Sequence, residues 1–112
     1  EEQRAHRRFP LRCKVALRGN DQQLIYGDTT DVSLGGASVL LGQNIAKGTI
    51  FTFYLQLPAH KAGVKPDVVE ARAKVMYTAF SADHDRWRLG IQFLDFNGKN
   101  RQMLEAELQR YT

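Results

Sequence analysis

Residues 31–38 read DVSLGGAS: Asp31, Val32, Ser33, Leu34, Gly35, Gly36, Ala37 and Ser38. An extended run from Gln23 to Thr30 leads into this octet, and another from Ala37 to Leu41 leaves it. Two adjacent glycines interrupt the alternation of apolar and polar residues, so the octet connects two strands. A chain that turns back on itself here builds its fold from antiparallel hairpins.

Working outward, the same period of two recurs. From Phe9 to Leu17 the odd positions are Phe9, Leu11, Cys13, Val15 and Leu17, and Pro10, Arg12, Lys14 and Ala16 fall between them. That pattern predicts a first strand with one buried face, followed by a turn at Gly19, Asn20 and Asp21. Thr49 to Leu57 alternates with Phe51, Phe53, Leu55 and Leu57 on one face, and Pro58 ends it. Val68 to Thr78 places Val69, Ala71, Ala73, Val75 and Tyr77 together, and Arg86 to Phe93 does so with Trp87, Leu89, Ile91 and Phe93. Residues 42–48 and 59–67 read as loops, the second a flexible surface loop, and Ser81 to Asp85 as a hairpin turn. Trp87, Phe51 and Phe53 are read as core.

After Asn97 and Gly98 the period changes. Leu104, Leu108 and Tyr111 recur at helical spacing, Met103 and Ala106 widen the stripe, and no Gly or Pro follows Gly98. This predicts an amphipathic C-terminal helix over about 99–111. Six strands in a flat sheet would expose two edges. The expected architecture is therefore mainly β: a six-stranded antiparallel barrel with the helix packed against it.

Composition fits one modest domain: 112 residues, 43% hydrophobic and 25% charged. Glu1 stands where a complete chain has Met, which allows this to be an excerpt of a longer protein. Cys13 has no partner for an internal disulfide, and no Cys/His spacing matches a zinc site, so a reducing compartment and no metal are expected. No apolar run is long enough to cross a bilayer, and the charged N-terminus is not a signal peptide. The expected location is the cytoplasm, with no direct membrane insertion; a cytosolic domain of a larger or membrane-attached protein fits equally. His6, His60 and His84 are scattered, and Ser33 lies outside a G-x-S-x-G elbow, so no enzyme is expected.

The net charge of +4 is unevenly spread, with Arg4, Arg7, Arg8, Arg12, Lys14 and Arg18 crowding the first eighteen residues. Arg4 and Arg8 are spaced R-x-x-x-R, and each guanidinium offers a rigid fork for phosphate oxygens or the O6/N7 edge of guanine. The plain alternative is a solvated basic terminus. The octet has the form D-x-S-x-x-G. Its Asp31 carboxylate suits the N1–H and amino group of a guanine, Ser33 suits a phosphate or ring edge, and Gly36 allows backbone to approach a ligand. Its plain alternative is a turn in which Asp31 and Ser33 bond their own backbone while the glycines take positive φ.

Taken together, an arginine pair followed after one hairpin by D-x-S-x-x-G resembles the PilZ domain, the bacterial receptor module for cyclic di-GMP. RLGIQF, Arg88 to Phe93, resembles that family's last strand with its Gly-x-x-Phe pattern, and the terminal helix lies where the family has one. The resemblance covers essentially the whole chain. It implies that Arg4, Arg8, Asp31, Ser33 and Gly36 bind cyclic di-GMP, with no cofactor; His6 and Arg7, lying between the paired arginines, either make secondary contacts or face solvent, and Gly35 either makes a secondary contact or serves only the turn. It further implies that residues 1–8 form a flexible clamping segment ahead of a barrel domain at 9–112, and that ligand binding is relayed to a fused domain or partner protein. Gln3 stands where many family members that take two stacked ligands carry another arginine, which leans toward one ligand per domain, with Arg7 inside the motif as the alternative stacking partner for a second. The rival readings are a small barrel for single-stranded nucleic acid and a degenerate PilZ module that meets only proteins. Aromatics on inward faces, and Glu70 and Asp85 among the outer basic residues, speak against nucleic acid. The intact motifs speak against degeneracy.

Overall fold

The computed structural model describes residues 6–112. Within them the chain forms β1 (Lys14–Arg18), β2 (Leu24–Val32), β3 (Gly36–Leu41), β4 (Ile50–Gln56), β5 (Val68–Ser81), β6 (Arg86–Phe96) and α1 (Asn100–Gln109). The strands close into a barrel in the order β1-β2-β3-β6-β5-β4, every neighbouring pair antiparallel, with β4 returning to pair with β1. Closure is the expected solution to the edge problem, since it pairs the backbone groups that an open sheet would leave exposed.

Inward positions fill the barrel as the alternation predicts. Leu17, Val39, Leu41, Phe53, Leu55, Val75 and Leu89 are each at most 1% exposed, and Phe53 packs against Phe93 with ring centroids 5.8 Å apart. Trp87 departs from expectation: it is partly buried at the margin of this core, edge-on to the exposed Phe80 at 5.4 Å. Its partner across the ladder is Leu41, the last residue of β3, so the indole caps the end of the barrel rather than filling it.

The first strand is shorter than its alternation suggests. Phe9 pairs with Val32 through two backbone hydrogen bonds, but Pro10 has no N–H to continue the ladder, and Leu11 N–H turns back to the carbonyl of Phe9. Thr29, fully buried, bridges the gap. Its hydroxyl donates to the Leu11 carbonyl and accepts from Cys13 N–H, and its own N–H bonds the Cys13 carbonyl. The Cys13 thiol is buried too, and burial pushes its pKa above the ordinary value.

Helix α1 packs on β5 through Leu104 and Leu108, while Ala106 and Tyr111 are exposed. The helical stripe did not anticipate Glu107, which is 6% exposed: His60 Nε2 lies 3.0 and 2.8 Å from its two oxygens, and Tyr111 Oη donates to it. A buried carboxylate without such partners would be costly, so His60 ties the β4–β5 loop to the helix. Tyr111 in turn lies 6.3 Å, centroid to centroid, from Phe9. No described helix is long and apolar enough to cross a membrane.

On the outer wall, Arg86 Nη1 donates to Asp28 at 2.9 Å and holds that carboxyl below the ordinary aspartate value. A carboxyl so lowered adds stability above its unfolded pKa near ~4, and that contribution is lost as the pH falls through the lower folded value. Asp28→Asn is therefore expected to flatten the acid limb of the stability curve below about pH 4 by on the order of 1 kcal/mol or less. Urea denaturation of both proteins at a series of acidic pH values measures it.

Candidate functional site

The octet that joins β2 to β3 is a tight hairpin closed by its serine. Ser33 N–H bonds the Gly36 carbonyl at 2.8 Å, and Ser33 Oγ accepts from the N–H groups of Gly35 and Gly36, each at 3.1 Å. The hydroxyl is 6% exposed with its residue and spent on the turn. Neither glycine takes positive φ, contrary to the expectation for a plain turn; among the described residues, the glycines that do are Gly48, Gly63 and Gly98. What demands glycine here is close approach. A Cβ on Gly36 would strike the Ile91 carbonyl across the β3–β6 ladder, and one on Gly35 would strike the His6 ring.

Asp31 reaches the outer wall through a bulge. Thr29 pairs with Val39 and Asp31 with Ser38, so Thr30 is an extra residue with no partner of its own in the ladder. In an unbroken strand Thr29 and Asp31 would share the inward face; the bulge reverses the parity, so Asp31 faces outward beside Ser38 and Val32 turns into the core. A second bulge does the same on β5. Val75 pairs with Ile91 and Tyr77 with Gly90, with Met76 inserted between. The sequence placed Tyr77 on the inward set with Val75. Instead it faces out, 44% exposed.

The two shifts produce one outward row across four strands: Asp31, Ser38, Gly90 and Tyr77. Arg8 lies against this row. Its Nη1 donates to Asp31 Oδ1 at 2.7 Å and to Ser38 Oγ at 3.3 Å, and the charged pair is about a quarter to a third exposed. Such a charge-assisted contact fixes the guanidinium as well as attracting it. Among the described residues Arg8 uses only Nη1 in this way.

Beside Arg8 opens a groove of about 830 Å³, lined among others by His6, Gly35, Gly36, Tyr77, Gln92 and Arg101. Of the residues read from the sequence, Arg8, Ser33, Gly36, His6 and Gly35 meet at this groove. Asp31 does not line it and contributes by holding Arg8. Arg7 points elsewhere, exposed, with its guanidinium 5.1 Å from the centre of the Phe9 ring. Arg4 lies outside the described residues, as do the first five positions of the expected clamping segment. Residues 6–8 rest on the barrel, with Arg8 bonded to it. Tyr77, Ser38, Gln92 and Arg101 were not among the expected site residues. Only the polar outward position of Ser38 and the apolar pair Met76-Tyr77, which breaks a clean alternation, carried a trace of them in the sequence.

A family model described as PilZ domain matches residues 2–110, which is nearly the whole chain. The chain belongs to the PilZ domain family. Solved structures share the fold at low identity: the inhibitor of motility MotI/DgrA of Bacillus subtilis has a TM-score of 0.79 at 17% identity, over 99% of this chain and 52% of its own. The PilZ domain of YcgR from Escherichia coli, solved with c-di-GMP, has a TM-score of 0.70 at 15% identity and is matched over 95% of its length, against 98% of this chain. The MrkH–c-di-GMP complex of K. pneumonia has a TM-score of 0.74 at 15% identity, over 99% of this chain and 52% of its own. The chain thus spans about half the length of MotI/DgrA and of MrkH. None of the curated proteins matches the sequence.

The glycine geometry separates two substitutions that look alike. Gly36→Ala forces backbone apart within a ladder and is expected to cost about 2 kcal/mol or more, whereas Gly35→Ala meets only a side chain and is expected to cost less than ~1 kcal/mol. Denaturant unfolding of the two variants distinguishes them.

Proposed function

We propose that this domain is a receptor for cyclic di-GMP, which it takes into the groove beside Arg8. The observation that carries the reading is Arg8 itself, fixed by Asp31 and Ser38 at the edge of a groove large enough for a nucleotide. The family supports it, and so do the structures of YcgR and MrkH with that ligand. Cyclic di-GMP carries two phosphates and two guanines, so it suits a site of guanidinium forks bounded by close-packed glycines. Arg8 keeps donors beyond Nη1 for a phosphate or a guanine edge, and Asp31 accepts from Arg8 through Oδ1 while its Oδ2 has no partner among the described residues. In this reading Arg4 supplies the second fork, His6 and Gly35 give secondary contacts, and Gln3 leans the site toward one ligand.

Ser33 acts here chiefly through the turn it closes, which sets Gly35 and Gly36 at the groove. The role is recognition followed by relay. The segment ahead of the fixed Arg8 closes over the ligand, and that change is passed to a fused domain or partner protein; the ligand drives this only through its different affinity for the two arrangements.

Calorimetry tests the reading. The unaltered protein is expected to bind cyclic di-GMP, and Arg8→Ala and Asp31→Ala each to weaken binding by about 2 kcal/mol, roughly thirtyfold. Equal affinity in the variants overturns the site. Absence of heat with cyclic di-GMP, together with strongly salt-dependent binding of a single-stranded oligonucleotide, overturns the receptor reading in favour of nucleic acid.

A further inference from the structure

Tyr77 is an oddly placed residue for an exposed aromatic. The Met76 bulge turns it out of the core, and it then lies flat across the sheet, its ring occupying the space where a Cβ on Gly90 would stand. Any side chain at position 90 would displace it. Its hydroxyl is 3.3 Å from Ser38 Oγ, the same oxygen that accepts from Arg8 Nη1 at 3.3 Å. Ser38 is 2% exposed, and Tyr77 and Arg8 both reach its hydroxyl oxygen. The bulge, the missing side chain at Gly90 and the shared oxygen are separate features, and all three serve to hold one phenol in one place.

From this we infer that Tyr77 is a positioning residue for the ligand arginine. The inference rests on the receptor reading for its ligand, but not for its mechanism. Asp31 alone would hold Arg8 by one oxygen and leave the guanidinium plane free to swing about that contact. Ser38 supplies a second point, and the hydrogen bond between its hydroxyl and that of Tyr77 stops the hydroxyl rotating and leaves a lone pair of Oγ aimed at Arg8. Two fixed acceptors define the plane of the guanidinium, so its remaining donors are aimed before a ligand arrives. A site oriented in advance loses less on binding than one that must be ordered. Tyr77 also lines the groove, so its ring limits how far a ligand can move away from Arg8.

Two measurements test this. In the ligand-free protein, the NMR order parameter of the Arg8 Nε–H vector is expected to be high, and to fall in both Tyr77→Phe and Ser38→Ala. The phenylalanine variant keeps the ring and removes only the hydroxyl, so a purely structural role would leave the order unchanged, and that result overturns the proposal. In titrations with cyclic di-GMP, Tyr77→Phe is expected to weaken binding roughly three- to tenfold in the unaltered background and not at all in Arg8→Ala, because its effect passes through that arginine. An equal loss in both backgrounds also overturns the proposal. If the unaltered protein takes no cyclic di-GMP while Arg8 order still falls in the variants, the receptor reading fails and the positioning of Arg8 by Tyr77 stands.

Discussion

The whole site depends on a change of parity within two strands. Alternation assigns each residue of a strand to a face without regard to its chemistry, and a regular β2 would have carried Asp31 into an apolar barrel. One unpaired residue, Thr30, spares the carboxylate that burial and turns Val32 inward in its place. Met76 does the corresponding work for Tyr77 on β5. Both insertions lie in strands that border the pair β3 and β6, so the two corrected residues end in one row with Ser38 and Gly90 between them. The row exists only because both ladders are irregular at matched heights.

Around that row the backbone itself is drawn close. Gly36 allows β3 to approach β6, and Gly90 clears the space that an aromatic ring fills. These glycines act through the volume they leave rather than through unusual backbone angles. The N-terminal segment is fixed beside them by ordinary strand chemistry: Phe9 pairs with Val32, so the residues next in sequence, Arg8 and Asp31, are kept near one another before their charges contribute. Electrostatic attraction then acts over a short distance that the backbone has already set.

Much of this was legible in the residues. The alternation of Phe51, Phe53 and Leu55, or of Leu89, Ile91 and Phe93, marks inward faces directly, and the closed barrel follows from six such strands and the cost of free edges. Arg8, Gly36 and the octet turn were legible as motif members. What the pattern carries poorly is a bulge: Thr30 has no side-chain signature that tells an inserted residue from a paired one, and the apolar Met76 beside Tyr77 breaks the alternation without saying which of the two is the extra residue. Tyr77 was therefore read onto the wrong face by simple counting. Glu107 escaped for a related reason: a charged residue on a helix reads as solvated until a distant histidine, here His60, is known to meet it. Short-range periodicity shows faces, and long-range pairs decide their exceptions.

The return of β4 onto β1 also determines how such a module can be wired to others. Each described strand is hydrogen-bonded to a neighbour on both sides over part of its length, so open backbone edge is confined to strand ends, such as β5 beyond Val75, which pairs with β6 alone. Away from those ends, association is read out by side chains on the barrel wall and by the helix. Recognition of that kind is set residue by residue, and it can be rewritten on the surface while the ladders beneath stay as they are.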